Sequence, residues 1–227
     1  MNIAIVLAGG VGKRAETVIP KQYVEIDGKP IISFCLDTVF ECKKIDILWI
    51  VCDRERIEYL EKYIPKGYVH FFSEPGANRQ LSIYNALEDI IFDFGTENNV
   101  VILDACRPYV SRKLIEDCLK GLEDAEGVLP VLPMKDTIYE CEDGKISGLC
   151  DRNRLFAGQA PEAFRLKPYY EANTGLIPDR ILNINGSTEP AIMAGLKMIT
   201  IPGDEKNIKI TTPNDISEFR RKILGGN

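Results

Sequence analysis

Ile3-Ala4-Ile5-Val6-Leu7-Ala8-Gly9-Gly10-Val11-Gly12-Lys13-Arg14 sets an unbroken apolar run directly before a glycine-rich turn, and Pro20-Lys21-Gln22 follows a few residues later. An apolar run of this length, bounded by glycines, reads as a strand buried on both faces, the kind found in parallel sheets. The glycines let the backbone turn and bring its N–H groups close to an anion, which residues with a Cβ would obstruct. Lys13, Arg14 and Lys21 add full positive charges near the same place. A polyphosphate losing pyrophosphate needs this combination of fixed donors and cations where negative charge builds up. A plain turn between a strand and a helix is the competing reading. The loop matches neither stricter phosphate pattern: Arg14 stands where the Walker motif requires Ser or Thr, and no third glycine follows Gly12 as a dinucleotide fingerprint would have it.

Strand and helix signals alternate from this first strand outward. Ile31 to Phe40 carries apolar residues at helical spacing after Pro30, Ile45 to Cys52 is a continuous apolar strand, and Arg54 to Tyr63 is a charged helix. The pattern continues with a strand Val69 to Phe72, a helix Ser82 to Phe92, a strand Val100 to Leu103, a helix Arg112 to Leu122 and a strand Gly127 to Leu132. This predicts an α/β, Rossmann-like, mostly parallel sheet with helices on both faces, binding its ligand beyond the carboxyl ends of the strands.

The regularity breaks after Pro133. Asp136 to Cys141 and Ile146 to Leu149 flank the turn Glu142-Asp143-Gly144-Lys145, which reads as a β-hairpin. Such a hairpin, at about 134–155, either projects as an arm that buries its apolar side against another subunit or folds back on its own domain. Lys197 to Ile201 and Ile208 to Thr211 read as two further strands, and Asn214 to Leu224 as a closing helix with Pro213 at its start. No repeat or linker divides the chain, so residues 1–227 are expected to form a single domain.

The 227 residues carry a formal net charge of -6, which argues against a nucleic-acid or membrane-surface role, since a phosphate backbone calls for a basic face. Cys35, Cys42, Cys52, Cys106, Cys118, Cys141 and Cys150 are scattered, with no C-x-x-C pair, and read as reduced thiols. No targeting signal precedes the first strand and no apolar run approaches membrane length. The expectation is a soluble cytoplasmic protein that binds neither nucleic acid nor membrane.

Several segments can carry chemistry. Asp104, at the end of the strand Val100 to Leu103, points toward the ligand crevice, where it either holds a divalent cation or caps the next loop. Arg107 offers a planar fork suited to phosphate. Gly76-Ala77-Asn78-Arg79-Gln80-Leu81-Ser82 is a second turn into a helix, whose backbone and Ser82 hydroxyl either read a base edge or cap the helix. Arg152 and Arg154 follow the arm, as phosphate ligands or as surface charge. Lys209, within an alternating segment, faces solvent or an anion. His70, the lone histidine, sits beside Phe71 and Phe72 as a packing residue.

In order and spacing these segments resemble the 2-C-methyl-D-erythritol 4-phosphate cytidylyltransferase family, including the similar ribitol 5-phosphate cytidylyltransferases. The resemblance rests on Leu7-Ala8-Gly9-Gly10 with Gly12 and Arg14, Pro20-Lys21-Gln22-Tyr23, Gly76 to Ser82, and Asp104 with Arg107-Pro108. It continues through Asp136-Thr137, Asp151-Arg152, Gly158-Gln159 with Pro161 and Phe164, and Asn207-Ile208-Lys209 with Thr211 and Pro213. It implies transfer of CMP from CTP to a polyol phosphate, with Arg14, Lys21 and Lys209 as the catalytic cations and Lys13 left facing solvent. Leu7, Ala8, Gly9, Gly10, Gly12, Gly76, Ala77, Arg79, Ser82 and Asp104 would bind the nucleotide, with Asp104 also placing Mg²⁺. Arg107, Thr137, Arg152 and Thr188 would face the acceptor, Thr137 and Arg152 reaching in from the arm of a homodimer partner.

The departures from the family pattern fall on the acceptor side. The family usually has His-Asp for Leu103-Asp104, Thr-Pro-Gln for Ala160-Pro161-Glu162, and Thr-Asp-Glu or Thr-Asp-Ala for Thr188-Glu189-Pro190. Ala160 lacks a hydroxyl, and Glu162 is expected to add a negative charge near an anionic substrate. Two other readings stay open here: a nucleotide-binding module without catalysis, and a nucleotidyltransferase using another nucleotide.

Overall fold

β1 (Asn2–Leu7) forms at the predicted apolar run, and Ile3 to Val6 at its centre are completely buried. The computed structural model describes residues 1–10 and 19–225. Chain order continues through β2 (Glu25–Ile26), β3 (Lys29–Pro30), α1 (Ile31–Glu41), β4 (Ile47–Val51), α2 (Ile57–Glu61), β5 (His70–Ser73), α3 (Arg79–Phe94), β6 (Asn99–Asp104), α4 (Arg112–Gly121) and β7 (Gly127–Pro133). The second half comprises β8 (Tyr139–Glu142), β9 (Lys145–Leu149), β10 (Phe156–Gly158), β11 (Glu162–Arg165), α5 (Leu166–Thr174), α6 (Glu189–Met193), β12 (Met198–Pro202) and α7 (Pro213–Ile223).

The large sheet runs β10-β7-β11-β6-β1-β4-β5, with β12 also paired to β7. β1 lies parallel between β4 and β6, β5 extends the parallel set, and β12 runs parallel to β7. β11 is antiparallel to both β6 and β7, and β10 is antiparallel to β7. The sequence pattern predicts neither β10 nor β11, because Gly158, Gln159 and Pro161 interrupt the stretch and leave two short fragments.

The unbroken apolar run in β1 has a direct cause. Ala4 and Val6 face one core, filled by Ile32, Leu36 and Val39 of α1 and Ile115 of α4. Ile3 and Ile5 face the other, filled by Ile83, Leu87 and Ile90 of α3 and Tyr169 of α5. A strand covered on both faces has no polar side to display, and each such side chain contributes roughly 1.5–3 kcal/mol by burial.

The arm is a two-stranded sheet of its own, β8 with β9. Asp143 and Gly144 at its tip have φ of 49° and 76°, as a two-residue primed hairpin turn requires. Its strands are almost wholly exposed and pair with no strand of the large sheet, so the arm projects rather than folding back.

Two expectations need correction. Ile208 to Thr211 is not a strand: residues 203–211 are irregular backbone, and Ile210 N–H donates to Cys106 C=O (2.8 Å) outside any strand ladder. Helix α3 begins three residues before Ser82, because the Asn78 side chain accepts the Leu81 N–H (2.8 Å) and caps it there.

Candidate active site

Register brings three strand ends to one level, since Leu7 pairs with Val51 on one side and with Asp104 on the other. The loop leaving β1 is tied at its backbone. Ala8 N–H donates to Val51 C=O (2.8 Å), while Gln22 Nε2 donates to the carbonyls of Ala8 (2.5 Å) and Gly10 (2.8 Å) and Tyr23 Oη to that of Ala8 (3.1 Å). Gly9 is required by packing, as a Cβ there would strike Pro75.

Above the strand ends opens a cavity of about 370 Å³. Leu7, Gly9, Gly10, Lys21 and Gln22 form one wall. Gly76, Ala77, Asn78, Arg79 and Ser82 form the other, and Val51, Asp104, Ala105, Cys106 and Lys209 close the floor. The second turn is held from inside: Gly76 N–H donates to Ser82 Oγ (3.0 Å), which donates to Asn78 C=O (2.8 Å). Burial pushes the Cys106 thiol up to about 11, so it stands in the floor as a neutral group and not a nucleophile.

Asp104 organises the charge. Arg79 Nη2 lies 3.1 Å from its Oδ1, and Lys209 Nζ and Arg107 Nε lie 2.9 and 3.4 Å from its Oδ2. Burial alone would raise the pKa of this carboxyl, but Arg79, Lys209 and Arg107 outweigh it and hold Asp104 ionised far below the usual range. Glu162, buried beside it, accepts from Ser187 Oγ and lies 3.7 Å from Arg79 Nη2. Glu162 therefore enters an interior ion cluster with Arg79, which itself lines the cavity. Burial raises its pKa against the opposing pull of Arg79 and Ser187. A buried cluster of this kind is poor evidence of stabilisation and better evidence of a working site.

Of the residues singled out from sequence, Leu7, Gly9, Gly10, Lys21, Gly76, Ala77, Arg79, Ser82, Asp104 and Lys209 meet at this cavity. Ala8 is buried behind it, with its backbone already bonded. Gly12, Lys13 and Arg14 lie outside the described residues. Arg107 stands behind Asp104, its Nη1 donating to Asn207 C=O (2.6 Å). Thr137 and Arg152 are exposed at the arm, with Arg152 Nη1 donating to Lys135 C=O (3.0 Å), and Thr188 is half-buried just before α6. Gln22, Tyr23 and Asn78 support the cavity without having been assigned a part; Gln22-Tyr23 beside Lys21 was the available signal.

Among the described residues no group of three or more His, Cys, Asp or Glu could hold a metal ion. Among the described residues lining the cavity Asp104 is the one carboxylate, ionised and facing Arg79, Lys209 and Arg107. That donor set fits a Mg²⁺ ion carried in on a polyphosphate, which needs only one or two protein carboxylates, rather than an ion held by an all-protein cage.

The chain matches the family model "IspD: 2-C-methyl-D-erythritol 4-phosphate cytidylyltransferase" over residues 2–221. It is 35% identical over 220 residues to the 2-C-methyl-D-erythritol 4-phosphate cytidylyltransferase of Clostridium botulinum (strain Eklund 17B / Type B), covering 95% of this chain and 96% of that one. It is 30% identical over 226 residues to the ribitol-5-phosphate cytidylyltransferase of Streptococcus agalactiae serotype III, covering 97% and 94%. In fold it superposes on the 4-diphosphocytidyl-2C-methyl-D-erythritol synthase of Anaerococcus prevotii with a TM-score of 0.84 at 24% identity, over 99% and 98% of the two chains.

Proposed function

The chain belongs to the 2-C-methyl-D-erythritol 4-phosphate cytidylyltransferase family and is a CTP-dependent nucleotidyltransferase, and from that premise we propose how its cavity carries out cytidylyl transfer to a polyol phosphate. An oxygen of the acceptor phosphate attacks the α-phosphorus of CTP. The new phosphorus–oxygen bond forms as the bond to the bridging oxygen breaks, and that oxygen leaves with its electron pair on pyrophosphate. The product is a CDP-polyol. A phosphate monoester is anionic near neutral pH, so the nucleophile needs no general base, and catalysis is positioning plus neutralisation of charge.

The observation that carries this reading is the meeting of Lys21, Lys209 and Asp104 with two glycine turns at one cavity beyond β1, β4 and β6. Lys21, with Arg14, is assigned to the triphosphate, and Lys209 to the α-phosphate. Gly76, Ala77 and Ser82 are assigned to the base. Mg²⁺, held by Asp104 and the triphosphate, would neutralise charge on the departing pyrophosphate.

On the acceptor side the assignment is Arg107 and Thr188 from the same subunit, with Thr137 and Arg152 supplied by a second copy. The arm supports this arrangement. Tyr139, Ile146 and Leu149 of the arm expose 53%, 69% and 68% of their surface, and Phe156 of β10 at its base exposes 54%, an apolar surface suited to a partner. A groove of about 360 Å³ between Val131–Pro133 and Thr200–Gly203 lies at the arm's base, open to such a contact. All seven cysteines are free thiols, and among the described residues no helix is long and apolar enough to cross a membrane; a cytoplasmic location is the proposal consistent with both.

Purified protein mixed with CTP, Mg²⁺ and, in turn, methylerythritol, ribitol and glycerol phosphates should release pyrophosphate with at least one of them. Silence across the panel, at protein concentrations where CTP binding is saturated, would sink the assignment of a polyol phosphate as acceptor.

A further inference from the structure

Lys209 carries its charge on a stretch with little regular support. Residues 203–211 are irregular, yet Lys209 Nζ reaches Asp104 at 2.9 Å. A lysine is a point charge on a flexible four-carbon stem, so its place depends on how well its backbone is held. Ile210 N–H is tied to Cys106 C=O (2.8 Å) and Arg107 Nη1 donates to Asn207 C=O (2.6 Å), and at Asp204 the backbone is held by a side chain. Gln159, buried between β10 and β11, accepts the Asp204 N–H at its Oε1 (3.0 Å) and donates from its Nε2 to the Asp204 C=O (3.0 Å). The same Nε2 lies 3.5 Å from the Asn207 C=O.

The paired donor and acceptor contacts allow one orientation of the amide only, since the flipped amide would oppose donor to donor and acceptor to acceptor. Gln159 thus stands in for the peptide group of an absent neighbouring strand. Two further features serve the same contact. A Cβ at Gly203 would lie 2.5 Å from Gln159 Oε1, so the glycine makes room for the amide. Asn207, completely buried, donates from Nδ2 to the Ala160 C=O (2.7 Å), tying the other end of the turn to the residue after Gln159.

We propose that Gln159 is a positioning residue for the reaction: through the backbone of Asp204 and Asn207 it fixes where Lys209 stands beside Asp104. This rests on the assignment of Lys209 to the reacting phosphate. A shift of about 1 Å in such a group can cost on the order of 10²-fold in rate while leaving ground-state binding little changed.

The test is steady-state kinetics on Gln159→Met, which keeps the shape and removes the hydrogen bonds, on Lys209→Ala, and on the double variant. Gln159→Met should lower kcat at least about tenfold and move KM for CTP by less than about threefold. The double variant should be no slower than Lys209→Ala alone, because both changes remove one function. Gly203→Ala, whose Cβ would press on Gln159 Oε1, should reproduce the kcat loss and keeps the idea testable if Gln159→Met folds poorly. A Lys209→Ala enzyme with undiminished kcat would remove the premise. A slow Lys209→Ala enzyme combined with full kcat in both Gln159→Met and Gly203→Ala, or with a Gln159 defect that multiplies the Lys209 defect, overturns the positioning role by itself.

Discussion

Asp104 and Arg79 form an ion pair at 3.1 Å across the cavity floor, joining the end of β6 to the first turn of α3. With Lys209 and Arg107 on its other oxygen, this one carboxylate separates three cations that would otherwise repel each other in a desolvated place. Asp104→Asn should therefore cost about 3–5 kcal/mol of stability, the usual result of stripping one partner from a buried pair. In a chain of this size that lowers Tm by several degrees or more. Activity should fall with it, and calorimetry showing an unchanged Tm would mean that the cluster is hydrated and loosely held.

Lys21 should show itself in rate. It lines the cavity from a half-buried position on a short 3-10 turn. Lys21→Ala should lower kcat on the order of 10²-fold, comparable to losing one transition-state donor elsewhere. Full activity in a folded Lys21→Ala enzyme would contradict its assigned place at the triphosphate.

Gln22 joins the two properties. Its amide holds the carbonyls of Ala8 and Gly10, so Gln22→Ala removes two hydrogen bonds and leaves the Ala8 carbonyl to the Tyr23 hydroxyl. The expected loss is about 1–3 kcal/mol in thermal stability. A rise in KM for CTP should accompany it as the glycine turn loosens. A normal KM in the variant would show that the loop keeps its shape without this tie.

Much of the site was legible because its residues lie at strand ends, and strands buried on both faces announce themselves. Leu7, Asp104 and the glycine turns follow from that alone. The burial of Glu162 was not legible because a glutamate in sequence carries no mark of burial; only β11, a strand too short and interrupted to recognise, turns it inward toward Arg79 and Ser187. Ile208 to Thr211 alternates like a strand, yet the backbone before it is met by the Gln159 amide, which no local pattern reports. The arm was legible from Asp143-Gly144, a turn dictated by positive φ.

The arm's exposed face yields a prediction about assembly. Ile146→Asp combined with Leu149→Asp places two charges on a surface proposed to be covered by a second copy, while neither residue supports the core. Sedimentation should show a shift from dimer toward monomer, with Tm of the subunit core little changed. Activity should decline in parallel, because Thr137 and Arg152 would be withdrawn from the neighbouring site. A double variant that remains dimeric would place the interface elsewhere.

Asp215 sets a pH dependence with a definite sign. Its burial would raise its pKa, but Oδ2 accepts from the N–H groups of Thr211 and Thr212 (both 2.7 Å) and from Thr211 Oγ1 (2.9 Å), and these bonds to the ionised form prevail and lower it. A carboxyl with a depressed folded-state pKa contributes stability that is fully present above its unfolded value of about 3.9 and is lost as pH falls through the folded value. It also completes the capping box of α7 with Thr212. Asp215→Asn should thus cost roughly 1 kcal/mol at pH 7, the usual worth of a helix cap. The gap between the two proteins should narrow below about pH 4, as the wild-type carboxyl takes up its proton. Thermal melts across pH 3 to 7 that keep a constant gap would mean that Asp215 acts through shape alone and not through its charge.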